Sequence, residues 1–94
     1  MTITVRFVGS FRGVARKEAI MLRLRGSVSL RILVSKVVEQ LPRLKSTLID
    51  PTSGEPRRNM LVLVNGQEIG VLNGLETTLI DRDEVVFVPV MHGG

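Results

Sequence analysis

Ninety-four residues, 44% of them hydrophobic, are enough for one domain with a small core and too few for two. The absence of cysteine excludes a disulfide scaffold, a thiolate metal site and a cysteine nucleophile. The net charge of +4, carried mostly by arginine, suits an acidic partner, and with Phe7, Phe11 and Phe87 as the only aromatic residues the chain lacks base-stacking platforms, which argues against nucleic acid as a direct partner.

The start, Met1-Thr2-Ile3-Thr4, has no basic region followed by an apolar run, and no apolar segment is long enough to span a bilayer. A cytoplasmic protein without a membrane partner is expected. Thr2 to Val8 alternates, with Ile3, Val5 and Phe7 on one face and Thr4 and Arg6 on the other, as a half-buried strand does. Gly9-Ser10 breaks it, and the basic, glycine-bearing stretch from Gly9 to Lys17 reads as a loop. Glu18 to Arg25 alternates again, with Ile20, Leu22 and Leu24 facing in and Met21, Arg23 and Arg25 facing out. Gly26 ends this second strand, which should pair antiparallel with the first.

Ser29 is a good helix N-cap, with Val28 and Leu33 at the two positions of a hydrophobic staple. Leu30, Leu33, Val34, Val37, Val38 and Leu41 form one apolar stripe, and Pro42 stops the helix. Valine is a mediocre helix former, so packing must hold this element, at roughly 1.5–3 kcal/mol per buried side chain before entropy is subtracted. A Val37→Asp change should therefore unfold the domain. Leu44 and Leu48 suggest a short packed turn, and Asp50 to Asn59 reads as an exposed loop.

Met60 to Val64 is a third strand, Asn65-Gly66 is a hairpin signal, and Gln67-Glu68-Ile69 is a short return strand. Gly70 to Arg82 reads as irregular, with Leu72, Leu75, Leu79 and Ile80 tucked against the core. Asp81-Arg82-Asp83-Glu84 is a polar turn feeding a last strand, Val85 to Val90, and then Met91-His92-Gly93-Gly94. The order strand, strand, helix, strand, short strand, strand predicts an α+β fold: a mixed sheet of four to five strands packed on one main helix, with the first and last strands parallel at its centre. This is the β-grasp, ubiquitin-like arrangement. It should occupy residues 1–90, with 91–94 a flexible tail.

The blocks Val64-Asn65-Gly66-Gln67-Glu68-Ile69 and Asp81-Arg82-Asp83-Glu84-Val85-Val86-Phe87-Val88-Pro89, followed by Gly93-Gly94, resemble the ubiquitin-like sulfur carriers and modifiers. That group includes the small subunit of molybdopterin synthase, the thiamine-pathway carrier ThiS, the ubiquitin-related modifier and the small archaeal modifier proteins. Met91-His92-Gly93-Gly94 is most similar to the ubiquitin-related modifier, and Val88-Pro89 is similar to the molybdopterin carriers. The resemblance covers essentially the whole chain. It implies a carrier or modifier rather than an enzyme, the substrate of an activating enzyme of the ubiquitin-activating, MoeB or ThiF type. That enzyme would use ATP and Mg²⁺ to adenylate the Gly94 carboxylate. The adenylate would then take up sulfur as a thiocarboxylate, for molybdopterin, thiamine or tRNA thiolation, or pass to a target lysine as an isopeptide. The chain itself would bind no cofactor or metal.

Each part of that chemistry has a physical reason. A carboxylate is a poor electrophile until joined to a good leaving group such as AMP. Gly93 and Gly94 have no Cβ to block a narrow channel. Four extended residues beyond Val90 reach roughly 13 Å, enough to enter an enclosed site.

A second candidate surface is the sheet face away from the helix. If Val85 and Phe87 point to the helix, Val86 and Val88 point out, and Val8 and Leu63 lie in register with them. An outward apolar group of this kind suits docking of the activating enzyme, with Met91 and His92 as further contacts beside the reactive end. Asp81, Asp83 and Glu84 read as surface polarity on a turn, and one histidine without cysteine supports no metal site. Three readings stay open: a sulfur carrier, a modifier joined through Gly94, and an inert β-grasp interaction module.

Overall fold

Alternation at the start of the chain sets the first hairpin. The structure, a computed structural model, describes residues 1–90, so the expected tail at 91–94 lies outside the described residues. In β1 (Thr2–Phe7), Ile3, Val5 and Phe7 are buried, as the alternation predicts. β1 is followed, against expectation, by a helix, α1 (Ser10–Ala15), where the sequence reads as loop. Phe11 and Ala15 lie one helical turn apart and are both buried, so core contact holds a helix too short to stand alone. Its end is tied down by Arg43, whose Nε donates to the Ala15 carbonyl at 3.2 Å. β2 (Ala19–Arg23) then returns antiparallel to β1, with Leu22 opposite Ile3 and Ile20 opposite Val5.

A two-residue strand, β3 (Val28–Ser29), leads into the main helix, α2 (Leu30–Gln40). Ser29 caps it as expected: the Ile32 N–H donates to Ser29 Oγ at 3.2 Å. Leu30, Leu33, Val34 and Val37 are fully buried, and Leu41 packs just beyond the last turn. Pro42 opens a 3-10 turn that runs into α3 (Lys45–Leu48), and Leu44 and Leu48 fill the core as anticipated. The loop that follows is mostly exposed, with Asp50 and Arg57 half-buried and Pro56 buried and bridged to Ile49.

β4 (Met60–Val64) turns through Asn65 (φ 51°) and Gly66 (φ 83°) into β5 (Gln67–Glu68). The two positive φ values are those a type I′ hairpin requires. Ile69 belongs to a following 3-10 turn and not to the return strand. β6 (Thr78–Leu79) pairs antiparallel with β3, a small second sheet the sequence did not suggest. Leu79 is fully buried, but Ile80 is 61% exposed, contrary to expectation. Successive side chains on extended backbone point to opposite sides, so both could not face the core.

β7 (Glu84–Pro89) completes a five-stranded sheet in the order β2-β1-β7-β4-β5. It runs parallel to β1 and antiparallel to β4, at the centre, which is the β-grasp arrangement. Phe7 and Phe87 are register partners with stacked rings, centroids 6.2 Å apart, in the same core as Leu33 and Val37. Among the described residues no helix is long and apolar enough to cross a membrane.

Candidate functional site

β7 is the strand that leads to Gly94, and the turn before it is built to hold it. Asp83 is buried, at 8% exposure, and is not the surface carboxylate the sequence suggested. Its Oδ1 accepts from Asn65 Nδ2 at 2.9 Å and its Oδ2 accepts from the Ile80 N–H at 2.8 Å. Asn65 Oδ1 in turn accepts the Glu84 N–H at 2.9 Å. Asp81 Oδ1 accepts the Thr2 N–H at 2.7 Å, stitching the turn to the start of β1. Glu84 pairs with Arg6 at 2.8 Å on the outer face. The three carboxylates thus share no partner: Asp83 serves Asn65 and Ile80, Asp81 serves Thr2 and Glu84 serves Arg6. Among the described residues no three His, Cys, Asp or Glu side chains group to hold a metal ion.

The outer face of the sheet is assembled by register. Val86 lies between Arg6 on β1 and Leu63 on β4, and Val88 lies opposite Leu61. Cross-strand partners share a face of the sheet. The Val8 N–H donates to the Phe87 carbonyl at 3.3 Å, which brings Val8 alongside Val88. Val8 is 38% exposed, and Leu61, Leu63, Val86 and Val88 are half-buried. The structure therefore brings Val8, Leu63, Val86 and Val88 onto one surface. It adds Leu61, which the sequence reading missed although it shares the parity of Leu63 along β4.

The root of the tail is also fixed. Gly9 has φ +57°, and a Cβ built there would meet Pro89 Cγ at 3.1 Å. Only glycine lets the β1–α1 turn pass this close to the end of β7 without strain. Val90, the next residue, is 47% exposed. Met91, His92, Gly93 and Gly94, the remaining expected site residues, lie outside the described residues.

Comparison with known proteins adds an independent line. A family model described as Urm1 (Ubiquitin related modifier) matches residues 2–94. The small archaeal modifier protein 3 of Haloferax volcanii is 30% identical over 94 residues, covering the whole of both chains. The ubiquitin-related modifier 1 of Schizosaccharomyces pombe is 32% identical over 97 residues, again covering both chains fully. Among solved structures, SAMP1 from Haloferax volcanii superposes with a TM-score of 0.88 over the whole of both chains at 20% identity, a likeness of fold.

Proposed function

We propose, from the premise that the chain belongs to the Urm1 (ubiquitin related modifier) family, that its Gly94 carboxylate is the group that reacts. A small ubiquitin-like carrier or modifier presents its chain end to other proteins and is not itself the catalyst. The observation that carries the reading is the family match running through residue 94, onto the two glycines. The geometry supports it. β7 is held on both sides at the centre of the sheet, its start clamped by Asp83 and its end braced by Gly9, so the domain is a rigid handle for whatever follows Val90.

In this proposal an activating enzyme holds ATP and Mg²⁺. An oxygen of the Gly94 carboxylate attacks the α-phosphorus of ATP, pyrophosphate leaves, and an acyl adenylate forms. A hydrosulfide equivalent displaces AMP to give the thiocarboxylate for sulfur transfer. Alternatively the amine of a target lysine takes the acyl group and an isopeptide bond results. The apolar surface of Val8, Leu61, Leu63, Val86 and Val88 is where the activating enzyme grips the domain, with Met91 and His92 next to its entrance.

Both relatives carry the name modifier, which favours conjugation as a second outcome of the same activated end. The test is the intact mass of the untagged protein from its own cells. One sulfur in place of one oxygen at the terminus identifies a sulfur carrier. Gly-Gly remnants on lysines of other proteins identify a modifier. A bare carboxylate in every fraction, with no conjugates, overturns both.

A further inference from the structure

The five-stranded sheet has an open edge at β2, whose one neighbour among the described residues is β1. The hydrogen-bond pattern shows which groups are free there. Met1 and Leu24 exchange both of their backbone bonds, and the Phe7 N–H donates to the Glu18 carbonyl. In an antiparallel ladder, bonded and non-bonded pairs alternate. Leu24, Leu22, Ile20 and Glu18 therefore turn their N–H and C=O groups toward β1. Ala19, Met21 and Arg23 turn theirs outward, three donor–acceptor pairs at every second residue that bond no backbone group among the described residues. Met21, in the middle, leaves its side chain 66% exposed.

Both ends of this edge are basic. At one end Arg12, Arg16, Lys17 and Glu18 line a shallow hollow of about 580 Å³. At the other, Thr2, Arg23 and Arg25 line one of about 390 Å³. Glu18 is already paired with Arg12. Among the described residues no carboxylate pairs with Arg16, Lys17, Arg23 or Arg25. A second copy of the chain is a poor occupant. Antiparallel pairing centred on Met21 would set Lys17 against Arg25 twice, and like charges directly opposite destabilise a ladder.

We propose that the β2 edge takes up an extended acidic segment of a partner protein as a sixth strand. Its backbone bonds Ala19, Met21 and Arg23, an apolar residue covers Met21, and carboxylates at its two ends reach the basic hollows. Strand addition of this kind draws affinity from main-chain bonds and selectivity from side chains at alternate positions. Lys17 to Arg25 spans roughly 27 Å of extended chain, so the segment needs charges at both ends of about eight residues. The edge is distinct from the outer-face residues assigned to the activating enzyme, and its failure would leave the chemistry of Gly94 as proposed.

The test is a titration of the full ¹⁵N-labelled chain with an end-blocked nine-residue peptide that has valines at its middle and two glutamates at each end. The amides of Ala19, Met21 and Arg23 should shift together and exchange more slowly with solvent. Arg23→Glu with Arg25→Glu, both at exposed positions, should keep the dispersed spectrum and weaken binding roughly tenfold. The same peptide with lysine for glutamate should bind that variant better than it binds the native chain. No binding at millimolar peptide overturns the proposal. So do shifts confined to Leu63, Val86 and Val88, shifts at Arg16 and Lys17 with Met21 silent, or a double variant that binds as the native chain does.

Discussion

Asn65 and Asp83 are joined by a hydrogen bond of 2.9 Å from the Asn65 side-chain amide to the buried Asp83 carboxylate, so the β4–β5 hairpin and the entry to β7 form one unit. Asp83→Ala leaves the Ile80 N–H and the Asn65 amide without their acceptor. The expected loss is about 1–3 kcal/mol, read as a lower urea midpoint with an unchanged slope. Asn65→Ala should cost more than Asn65→Gly, because glycine keeps the positive φ of the turn and loses only the side-chain bonds. Equal losses would mean that the turn conformation carries no strain.

Gly9→Ala should destabilise the domain by about 1–2 kcal/mol, since it places a Cβ at φ +57° and against Pro89. Pro89→Ala removes the close contact but not the backbone strain. In that background Gly9→Ala should cost less, and the difference in a double-mutant cycle measures the brace itself. Additive losses would show that Gly9 is required for its conformation alone.

Val37→Asp and Val88→Asp should separate fold from docking. Val37 is fully buried on α2, and an unpaired charge there should abolish cooperative unfolding and amide dispersion. Val88 is half-buried on the outer face, and its aspartate variant should stay folded while adenylate formation by the activating enzyme falls. Leu61→Asp should behave as Val88→Asp does. Native activation rates in both would remove the outer face from the docking surface.

Lys17, Lys36 and Lys45 are the only lysines, and all three are exposed. Replacing all three by arginine should eliminate polymeric conjugates and spare single attachment through Gly94. Polymers that persist in this variant would place the linkage on a group other than a lysine side chain.

What was legible in the chain follows from periodicity. Ile3-Val5-Phe7, the α2 stripe and the Asn65-Gly66 turn each repeat or require a conformation that few alternatives satisfy, and all three stand where they were expected. α1 was hidden because one apolar pair, Phe11 and Ala15, is too little to distinguish a helix from a loop that carries a glycine at its middle. β3 and β6 are two residues each, shorter than any period. Ile80 follows Leu79 in an apolar doublet, and only the strand direction decides which of the two enters the core. Asp83 looked like its acidic neighbours because nothing local marks the partner that buries it, Asn65, which lies on another hairpin. On the outer face, Leu63 was found through the parity of β7, and the same parity carried two residues back reaches Leu61.

The central place of β7 has a consequence for how the protein is born. β1 leaves the ribosome before every other strand of this sheet and β7 after them, yet the two are neighbours in its middle. Until β7 emerges, β1 and β4 have no strand between them, and the half-made chain cannot close its core. Such pairing of distant segments is slow to form and leaves apolar strands waiting unpaired. A copy that stops short of β7 therefore lacks a closed sheet, and under the function proposed above an activating enzyme that reads the folded sheet would pass it over.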